Sequence, residues 1–236
     1  MKVSIIIPVY NEQNTIRAIL EKVLALHVDK EVIVVNDCSS DDTEAILRSI
    51  KHPDLRVIHG IENRGKGHAL RLGLKHIRGD VVLIQDADFE YDPADIPSLL
   101  EPIVSGNADV VYGSRFMEPN EHIPLKQLIA NKYFNILTNL LHGSSFTDVC
   151  NCYKVFKAGI IKGIDLRSDG FEVCHEITAN LVGEYCFKDV PIRYRPRTRA
   201  EGKKVSWMDI FPSTWAILRF GWRKAYQRLV RGRKKY

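Results

Sequence analysis

The chain has 236 residues, of which 45% are hydrophobic, 27% are charged and 9% are aromatic, with a formal net charge of +5. A globular chain of this length buries a full core, so the composition excludes a disordered, collagen-like or coiled-coil protein. No apolar run reaches the roughly 18 residues that a membrane-spanning helix needs, and the first residues lack a signal-peptide cleavage site. We therefore expect a cytoplasmic protein.

Short β-branched runs alternate with helical stretches through the first half of the chain. Strands are predicted at 3–10, 31–37, 55–60, 80–86 and 109–114. Helices are predicted at 12–26, from about 41–43 onward, at 65–77, and from Pro93 to about Val104. Because strands that alternate with helices usually pair in parallel, this order predicts an α/β fold with a mostly parallel sheet flanked by helices.

The pattern changes after Arg115. A helix rich in Asn and Leu is predicted at 125–142, further strands at 152–156 and 184–194, and a helix near 172–182. The chain has five cysteines and no export signal, which favours reduced thiols. A metal at Cys150 and Cys152 is the weaker alternative, because their spacing is not that of a zinc site.

Acidic residues follow the predicted strand at 80–86 with the spacing Asp86-x-Asp88-x-Glu90. In an open parallel sheet, ligands bind beyond the carboxyl ends of the strands. Alternate carboxylates of an extended chain project to one side, and Mg²⁺ or Mn²⁺ prefers oxygen ligands. Such an ion can neutralise a diphosphate leaving group. The sequence therefore predicts a divalent-metal site, with a solvated acidic turn as the alternative.

Two glycines and a lysine open the predicted helix at 65–77, as Gly65, Lys66 and Gly67. Glycine permits close approach of the backbone, and a helix N-terminus offers free N–H groups to an anion. The segment matches neither the phosphate-binding P-loop nor the dinucleotide-binding glycine motif. A nucleotide-binding turn and a plain glycine-containing turn both remain open.

The C-terminal end of the chain is strongly basic. Residues 193–236 contain 14 Lys or Arg and two acids, a net charge of +12, whereas residues 1–192 carry −7. A polar stretch at 199–204 predicts a boundary between a domain at 1–204 and an amphipathic segment at 205–236. A basic end implies an anionic partner. No nucleic-acid-binding module is recognisable, so we expect no nucleic acid partner.

All three tryptophans lie in this segment, at Trp207, Trp215 and Trp222, and basic residues are interleaved with them. Tryptophan on one face and Lys or Arg on another is typical of a helix that lies in a membrane interface. The alternative is that the aromatic residues pack on the domain. Pro212 is expected to kink or restart this helix.

Several blocks of the sequence, taken together and in order, resemble the family 2 glycosyltransferases of the GT-A fold, which is Rossmann-like. The nearest resemblance is to the branch that transfers mannose or glucose to dolichyl or polyprenyl phosphate. The blocks are PVYNE at 8–12, VNDCSSDDT at 35–43, NRGKGHAL at 63–70, QDADFEYDP at 85–93, GSR at 113–115, TDVCNCYKVF at 147–156, GFEVCHEITANL at 170–181 and VPIRYRPRTRAEGKKVSW at 190–207.

This resemblance implies roles for individual residues. The nucleotide pocket would be lined by Pro8, Tyr10 and Glu12, with Asp37 at the base and Lys66 beside the nucleotide. Asp86 would contact the donor, Asp88 and Glu90 would hold the metal, and Arg115 would meet the acceptor phosphate, which makes Asp86, Asp88 and Arg115 the catalytic group. The loop that closes over donor and lipid phosphate would contain Arg197, Arg199, Lys203 and Lys204.

Three positions depart from the usual pattern of the family. Asn36 and Cys38 replace the first acid and the glycine of the block after the second strand, which leaves the selectivity for the base open. Glu90 stands where the family often has Gln, and a glutamate can still bind the metal.

A phosphate acceptor is already ionised at neutral pH and needs cationic guidance, whereas a hydroxyl acceptor needs a general base. Arginines and lysines are abundant near the expected acceptor side. Glu172 and Glu176 are candidate bases, but their spacing also fits two carboxylates on one solvated helix face.

The expected function is an inverting, metal-dependent transfer of a single hexose from a nucleotide sugar, of the GDP-mannose or UDP-glucose type, to a polyprenyl or dolichyl phosphate. The protein would act at the inner face of the membrane, bound peripherally through its C-terminal segment to anionic lipid. A glycosyltransferase acting on a hydroxyl of a glycan acceptor is the first alternative. A nucleotide-binding regulatory subunit and a nucleotidyltransferase are the others.

Overall fold

A computed structural model describes residues 1–119, 122–198, 201–202, 204 and 207–233. Seven strands form one sheet in the order β3-β2-β1-β4-β6-β5-β7. The strands are β1 (Val3–Val9), β2 (Lys30–Asn36), β3 (Leu55–His59), β4 (Val81–Ile84), β5 (Val110–Ser114), β6 (Lys154–Lys157) and β7 (Phe187–Pro191). The predicted mostly parallel sheet is confirmed, because every pairing is parallel except those of β6.

The middle of the sheet is built from β-branched residues that are buried on both faces. In β1, Ile5 lies opposite Val32 of β2 and Leu83 of β4, and all three side chains are fully buried. Branched side chains pack well on a pleated surface, and a parallel sheet covered by helices leaves no polar face. This core fixes the carboxyl ends of β1, β2 and β4 side by side at one edge.

Eight α-helices and two short 3₁₀ turns flank the sheet in the described part of the chain. The helices are α1 (Ile16–Leu24), α2 (Thr43–Ser49), α3 (Lys66–Leu74), α4 (Ile96–Val104), α5 (Leu125–His142), α6 (Ala158–Lys162), α7 (Val173–Leu181) and α8 (Ile210–Arg233), and the turns are Pro93–Asp95 and Trp207–Asp209. Helix α6 was not predicted from the sequence. Helix α1 begins four residues later than predicted, because residues 13–15 form a turn in which the Thr15 N–H donates to the Glu12 carbonyl.

Strand β6 is antiparallel to both β4 and β5. The chain therefore leaves the sheet at the carboxyl end of β5, forms α5, and re-enters the sheet at the same edge. This arrangement brings the start of β6 beside the carboxyl ends of β4 and β5. The sheet edge thus collects loops from both halves of the chain.

Helix α5 buries its polar side and exposes its apolar side. Its buried residues are Asn131, Phe134, Asn135, Thr138 and His142. Asn135 accepts a hydrogen bond from the Val149 N–H at 2.9 Å and donates to the Thr147 carbonyl at 2.5 Å. Asn139 likewise bonds the N–H and the carbonyl of Phe146, both at 2.9 Å. The asparagines therefore serve as backbone partners for the segment that leads to β6.

Helix α8 packs against α5 and α7 through the buried Ser213, Ala216, Ile217 and Phe220. Phe211 and Trp215 remain exposed, so these two residues of the predicted aromatic stripe lie outside the packed face. Pro212 lies in the first turn, where its missing N–H costs no helical hydrogen bond. The side chains of Trp207 and Trp222 lie outside the described part of the structure. None of the described helices is both long enough and apolar enough to cross a lipid bilayer.

A buried histidine on α7 predicts a pH-dependent stability. Burial lowers the pKa of His175 to about 3, and its ring packs 5.0 Å from that of Phe134. The unfolded chain binds this proton near pH 6.5 and the folded chain does not, so stability is full above that pH and falls below it. We expect the free energy of unfolding to fall by up to about 1.4 kcal/mol per pH unit from this group between about pH 6 and 4.

The variant His175→Gln should show a flatter dependence in urea titrations over the same pH range. Equal slopes for the two proteins would contradict the assignment to His175.

Candidate active site

The loops that follow β1 and β2 are joined by hydrogen bonds. The Asn11 side chain accepts a hydrogen bond from the Ser40 N–H at 2.8 Å, and the Asn11 N–H donates to the Ser39 hydroxyl at 2.9 Å. The Glu12 N–H donates to the Thr43 hydroxyl at 2.9 Å. These bonds fix two adjacent strand ends as one rigid rim, which holds Tyr10 and Glu12 next to the segment that begins at Asn36.

Asn36 shapes the rim where the sequence departs from the family pattern. Its side-chain oxygen accepts from the Ser39 N–H at 3.1 Å and from the Ser39 hydroxyl at 2.6 Å. The turn in between places Cys38 at φ +58°, in the left-handed region. A glycine adopts this conformation without strain. The Asn36 hydrogen bonds therefore hold a non-glycine residue in this turn.

The Asp37 carboxylate is 5% exposed and binds the loop before α3. It accepts hydrogen bonds from the Gly65 N–H at 2.6 Å and from the Arg64 N–H at 3.2 Å. His68 lies 3.7 Å away through its Nδ1 atom. Asp37 thus lies beside the glycine loop. In the predicted contact with the nucleotide base, the same carboxylate would bind both the base and these N–H groups.

Asp86 follows β4 and forms a close ion pair with Lys66 at the start of α3, with 2.6 Å between Nζ and Oδ1. Burial alone would raise the pKa of Asp86, but the Lys66 ammonium outweighs burial and holds that pKa below its ordinary value. The same pair raises the pKa of Lys66, against the effect of its own burial. The pair therefore remains charged, and the structure brings together two residues that the sequence assigned to donor binding.

Asp88 lies opposite Glu12, and the Arg197 guanidinium is inserted between them. Arg197 donates to Asp88 at 2.5 Å and to both oxygens of Glu12 at 3.1 Å. Burial and the Asp86 carboxylate raise the pKa of Asp88 to about 7, although Arg197 acts in the opposite direction. A buried carboxylate with such a pKa in a cleft is typical of a functional site.

Glu90 holds the loop that contains Arg197. Its carboxylate accepts the Arg197 N–H at 2.9 Å and the Tyr194 hydroxyl at 3.3 Å, and its carbonyl accepts the Arg195 N–H at 3.0 Å. Lys204 binds Glu12 at 2.7 Å and also donates to the Tyr10 carbonyl. The predicted loop residues Arg197 and Lys204 therefore reach the site, while Arg199 and Lys203 lie outside the described residues.

A cleft of about 500 Å³ opens beside this cluster of charges. It is lined by Asn11, Glu12, Gln13, Asn14, Thr15, Asp41, Phe89, Arg195, Pro196, Arg197, Glu201 and Gly202. The cleft is bounded by the loops after β1, β2, β4 and β7. A polar ligand that enters it meets Glu12 together with Arg195 and Arg197.

The carboxylates here suit a hard divalent cation. In the described part of the chain, no three His, Cys, Asp or Glu side chains converge as a complete metal cage. Mg²⁺ commonly binds through one or two carboxylates and takes its remaining ligands from water and substrate phosphates. Asp88 and Glu12 already converge on a cation, the Arg197 guanidinium, so their oxygens fit such an ion when that side chain moves away. The Glu90 carboxylate instead accepts a hydrogen bond from the backbone of the loop that contains Arg197.

The glycines at the start of α3 serve protein packing. A Cβ at Gly67 would lie 2.1 Å from the Ser168 carbonyl oxygen, and one at Gly65 would lie 2.7 Å from that of Asp169. The N–H groups of Gly67 and His68 donate to the Asp169 carbonyl. The chain itself supplies the acceptor for these two N–H groups, which favours the plain glycine-containing turn of the two alternatives.

Arg115 is buried directly after the carboxyl end of β5. Its guanidinium forms two hydrogen bonds with Asp148, at 2.7 and 2.8 Å, and lies 4.9 Å from the centre of the Tyr194 ring. The contact of Arg115 with an acceptor phosphate stays a prediction. Asp148 was not singled out from the sequence, although it lies in the block at 147–156.

The two candidate bases on α7 bind the backbone. Glu176 is fully buried, and its carboxylate accepts the N–H groups of Arg167 and Ser168 at 2.8–3.1 Å. Glu172 accepts the N–H of Gly170 at 3.1 Å. Both carboxylates therefore hold the segment at 167–170, which packs against the start of α3. The expectation of a solvated pair is wrong for Glu176.

Comparison with known proteins gives a consistent family. The family model described as Glycosyl transferase family 2 matches residues 4–164. Residue identity is 28% over 223 residues with the low-salt glycan biosynthesis hexosyltransferase Agl6 of Haloferax volcanii, covering 92% of this chain and 52% of that protein. It is 30% over 212 residues with a dolichol-phosphate mannosyltransferase of Pyrococcus furiosus, covering 86% and 59%. The chain thus spans only a little over half the length of these two relatives.

A third relative is similar in length to this chain. The undecaprenyl-phosphate mannosyltransferase of Micrococcus luteus is 30% identical over 217 residues, which cover 86% of this chain and 87% of that protein.

Solved structures share the fold at lower identity. Mannosyl-3-phosphoglycerate synthase of Rubrobacter xylanophilus matches with a TM-score of 0.74 at 22% identity, over 97% of this chain and 75% of that one. Glucosyl-3-phosphoglycerate synthase of Mycobacterium tuberculosis, in complex with Mn²⁺, uridine diphosphate and glucosyl-3-phosphoglycerate, matches at 0.71 and 17%, over 93% and 78%.

The glycine contact predicts a sharp difference between two Gly→Ala variants. Gly67→Ala should lower the free energy of unfolding by about 1–3 kcal/mol, because the new methyl group overlaps the Ser168 carbonyl. Gly159→Ala in α6 meets no atom within 4 Å, and it should be neutral or stabilise by up to about 1 kcal/mol. Urea unfolding of both variants tests this. If Gly67→Ala is as stable as the wild type, the loop at 168–169 does not pack tightly against Gly67.

The position of Arg197 predicts competition with a divalent cation. Arg197→Met removes the guanidinium from Asp88 and Glu12 and leaves a side chain that still fills apolar space. We expect Mn²⁺ to bind this variant several-fold more tightly than the wild type when no nucleotide is present. Electron paramagnetic resonance of free Mn²⁺ measures this directly. Arg193→Met is the matched control, because Arg193 binds Asp95 at the protein surface. Equal Mn²⁺ affinities in all three proteins would contradict the shared site.

Proposed function

The chain belongs to glycosyl transferase family 2, and from this premise we propose that it transfers one hexose from a nucleotide sugar to a polyprenyl phosphate. The observation that carries the proposal is the convergence of Glu12, Asp86 and Asp88 with the cations Lys66 and Arg197 at one sheet edge. A nucleotide-sugar diphosphate and an anionic acceptor both require this mixture of charges.

The donor side of the proposed reaction is formed by the rim of β1 and β2 and by the residues after β4. Pro8, Tyr10 and Asp37 would position the nucleotide, and Asp86, kept ionised by Lys66, would orient the sugar. We propose Mg²⁺ or Mn²⁺ as the cofactor, held by Asp88 with Glu90 or Glu12. When bound, such an ion supplies charge neutralisation for the diphosphate leaving group.

The acceptor side favours a phosphate over a hydroxyl. A phosphate oxygen attacks as an anion, so the protein needs to orient it and needs no base. The carboxylates considered as bases, Glu172 and Glu176, are both engaged by backbone N–H groups. Arg115, Arg197, Arg199, Lys203 and Lys204 would guide the acceptor phosphate. Displacement by this anion in a single step would invert the configuration at the anomeric carbon.

The names of the relatives support the class of acceptor. Two of them are transferases named for dolichol phosphate and undecaprenyl phosphate, and both are mannosyltransferases. We therefore propose a donor of the GDP-mannose or UDP-glucose type. The structural neighbours are named for 3-phosphoglycerate, a soluble acceptor that carries a hydroxyl. A glycosyltransferase acting on a hydroxyl of a soluble or cell-envelope acceptor is accordingly the alternative.

A polyprenyl-phosphate acceptor implies work at a membrane surface. We propose that the protein is peripheral at the cytoplasmic face, with its basic segment at 205–236 near anionic lipid.

The carboxylate assignment is tested by Asp88→Asn. This variant keeps the shape of the side chain but removes the charge, so it should lose Mn²⁺-dependent donor binding and at least about a hundredfold in transfer rate. Donor binding is measured by the shift in melting temperature with GDP- and UDP-sugars. Asp165→Asn is the matched control, because Asp165 is exposed and pairs only with Arg167 among the described residues. Full activity of Asp88→Asn in the presence of a chelator would refute the metal role.

The acceptor class is tested separately. Transfer from the donor that binds is measured to a short-chain polyprenyl phosphate, to 3-phosphoglycerate and to free sugars. Product on the polyprenyl phosphate alone supports the proposal, whereas product on a hydroxyl acceptor alone supports the alternative.

A further inference from the structure

The outward side of α5 is an apolar face without a partner in the described structure. We call it the α5 apolar face; it consists of Leu125, Ile129, Tyr133, Ile136 and Leu140, each 43–80% exposed. The side chains that α5 buries are mostly polar and serve the backbone at 146–149. A surface helix of a globular protein normally has the opposite arrangement. Contiguous exposed apolar surface of this kind usually marks an interaction site.

The α5 apolar face continues onto the first turns of α8. The Tyr133 hydroxyl lies 3.3 Å from the Thr214 hydroxyl, which places the two helices side by side. Phe211 and Trp215 follow one helical turn apart on α8 and are 68% and 65% exposed. Tyrosine and tryptophan at the border of an apolar surface are typical of proteins that contact the headgroup region of a bilayer.

The charged side chains that the structure describes on α5 and α8 are all basic. Lys126 and Lys132 on α5 and Arg219 on α8 are exposed, and neither helix contains an Asp or Glu. Exposed apolar side chains with cations beside them match an anionic lipid surface. An acidic protein partner would explain the cations but not the breadth of the apolar stripe.

The surface is connected to the site by two hydrogen bonds. Gln127, in the first turn of α5, donates to the Tyr194 hydroxyl at 2.7 Å, and that hydroxyl donates to Glu90 at 3.3 Å. Leu125 is thus two residues from Gln127, whose side chain is linked through Tyr194 to Glu90. The start of α5 is therefore joined to the loop after β4 that contains Glu90.

We propose that the α5 apolar face, with Phe211 and Trp215, docks onto the surface of an anionic membrane and presents the site to a phosphate in the headgroup layer. The inference rests on the proposed function only in taking that phosphate to belong to the acceptor lipid. The apolar residues of α5 enter the interface, and the exposed Lys126, Lys132 and Arg219 add electrostatic attraction.

The test is flotation of the protein with phosphatidylcholine vesicles that do or do not contain phosphatidylglycerol. Wild type should bind the anionic vesicles, and Ile129→Ser combined with Ile136→Ser should reduce the binding constant about tenfold or more, equivalent to about 1.4 kcal/mol. Leu140→Ser is a second, independent variant. Because these side chains are already exposed, melting temperatures should not fall. Val104→Ser is the matched control, since Val104 is 64% exposed on α4, and its binding should equal that of wild type.

Three results would overturn the inference. The first is that the wild type does not bind anionic vesicles. The second is that the wild type and the α5 variants bind these vesicles equally well. The third is that light scattering shows a dimer of the wild type and a monomer of the α5 variants. The last result would assign the face to a second copy of the chain.

Failure of the proposed function would look different. The α5 variants should keep donor binding and transfer to a short soluble polyprenyl phosphate, so loss of vesicle binding with these retained supports the docking surface. If vesicle binding depends on α5 but no polyprenyl phosphate is a substrate, the docking surface stands and the proposed acceptor is refuted.

Discussion

Repulsion among carboxylates at one edge of the sheet is the constraint on which the site depends. Glu12, Asp86 and Asp88 are held close together by strands whose positions the core fixes. Such a group is stable only with cations nearby, and the chain supplies Lys66 from α3 and Arg197 from the loop after β7. Ion pairs therefore join that loop to the sheet edge.

The parts of the molecule that are local in sequence could be predicted from it. The β-branched runs identify the first five strands, and the rule that ligands bind at carboxyl ends of parallel strands points to Asp37, Asp86 and Asp88. The resemblance to family 2 glycosyltransferases, which rests on the order of the motifs, is confirmed by the family model. Local boundaries were less accurate: α1 begins later than predicted because residues 13–15 form a turn.

Features that depend on distant partners could not be predicted. The pair Arg115–Asp148 and the capture of the 167–168 backbone by Glu176 require knowledge of which segments meet. The role of Gly67 stayed open, since a sequence does not tell whether a ligand or another loop approaches the backbone. The periodicity of α5 predicts a helix but does not tell which of its faces is buried. The structure shows that the Asn135 face is buried, because Asn135 binds the backbone, and that the apolar side therefore points outward.

The antiparallel insertion of β6 has a consequence for how this architecture diversifies. The chain leaves the sheet after Ser114 and returns at Lys154 on the same edge, so the intervening segment is a closed excursion whose two ends are fixed by β5 and β6. The loops after β1, β2 and β4 lie outside it. Evolution can exchange such an excursion as a unit while those loops are inherited unchanged. Chimeras between homologues, spliced at these two strands, would test whether the excursion alone sets the range of acceptors.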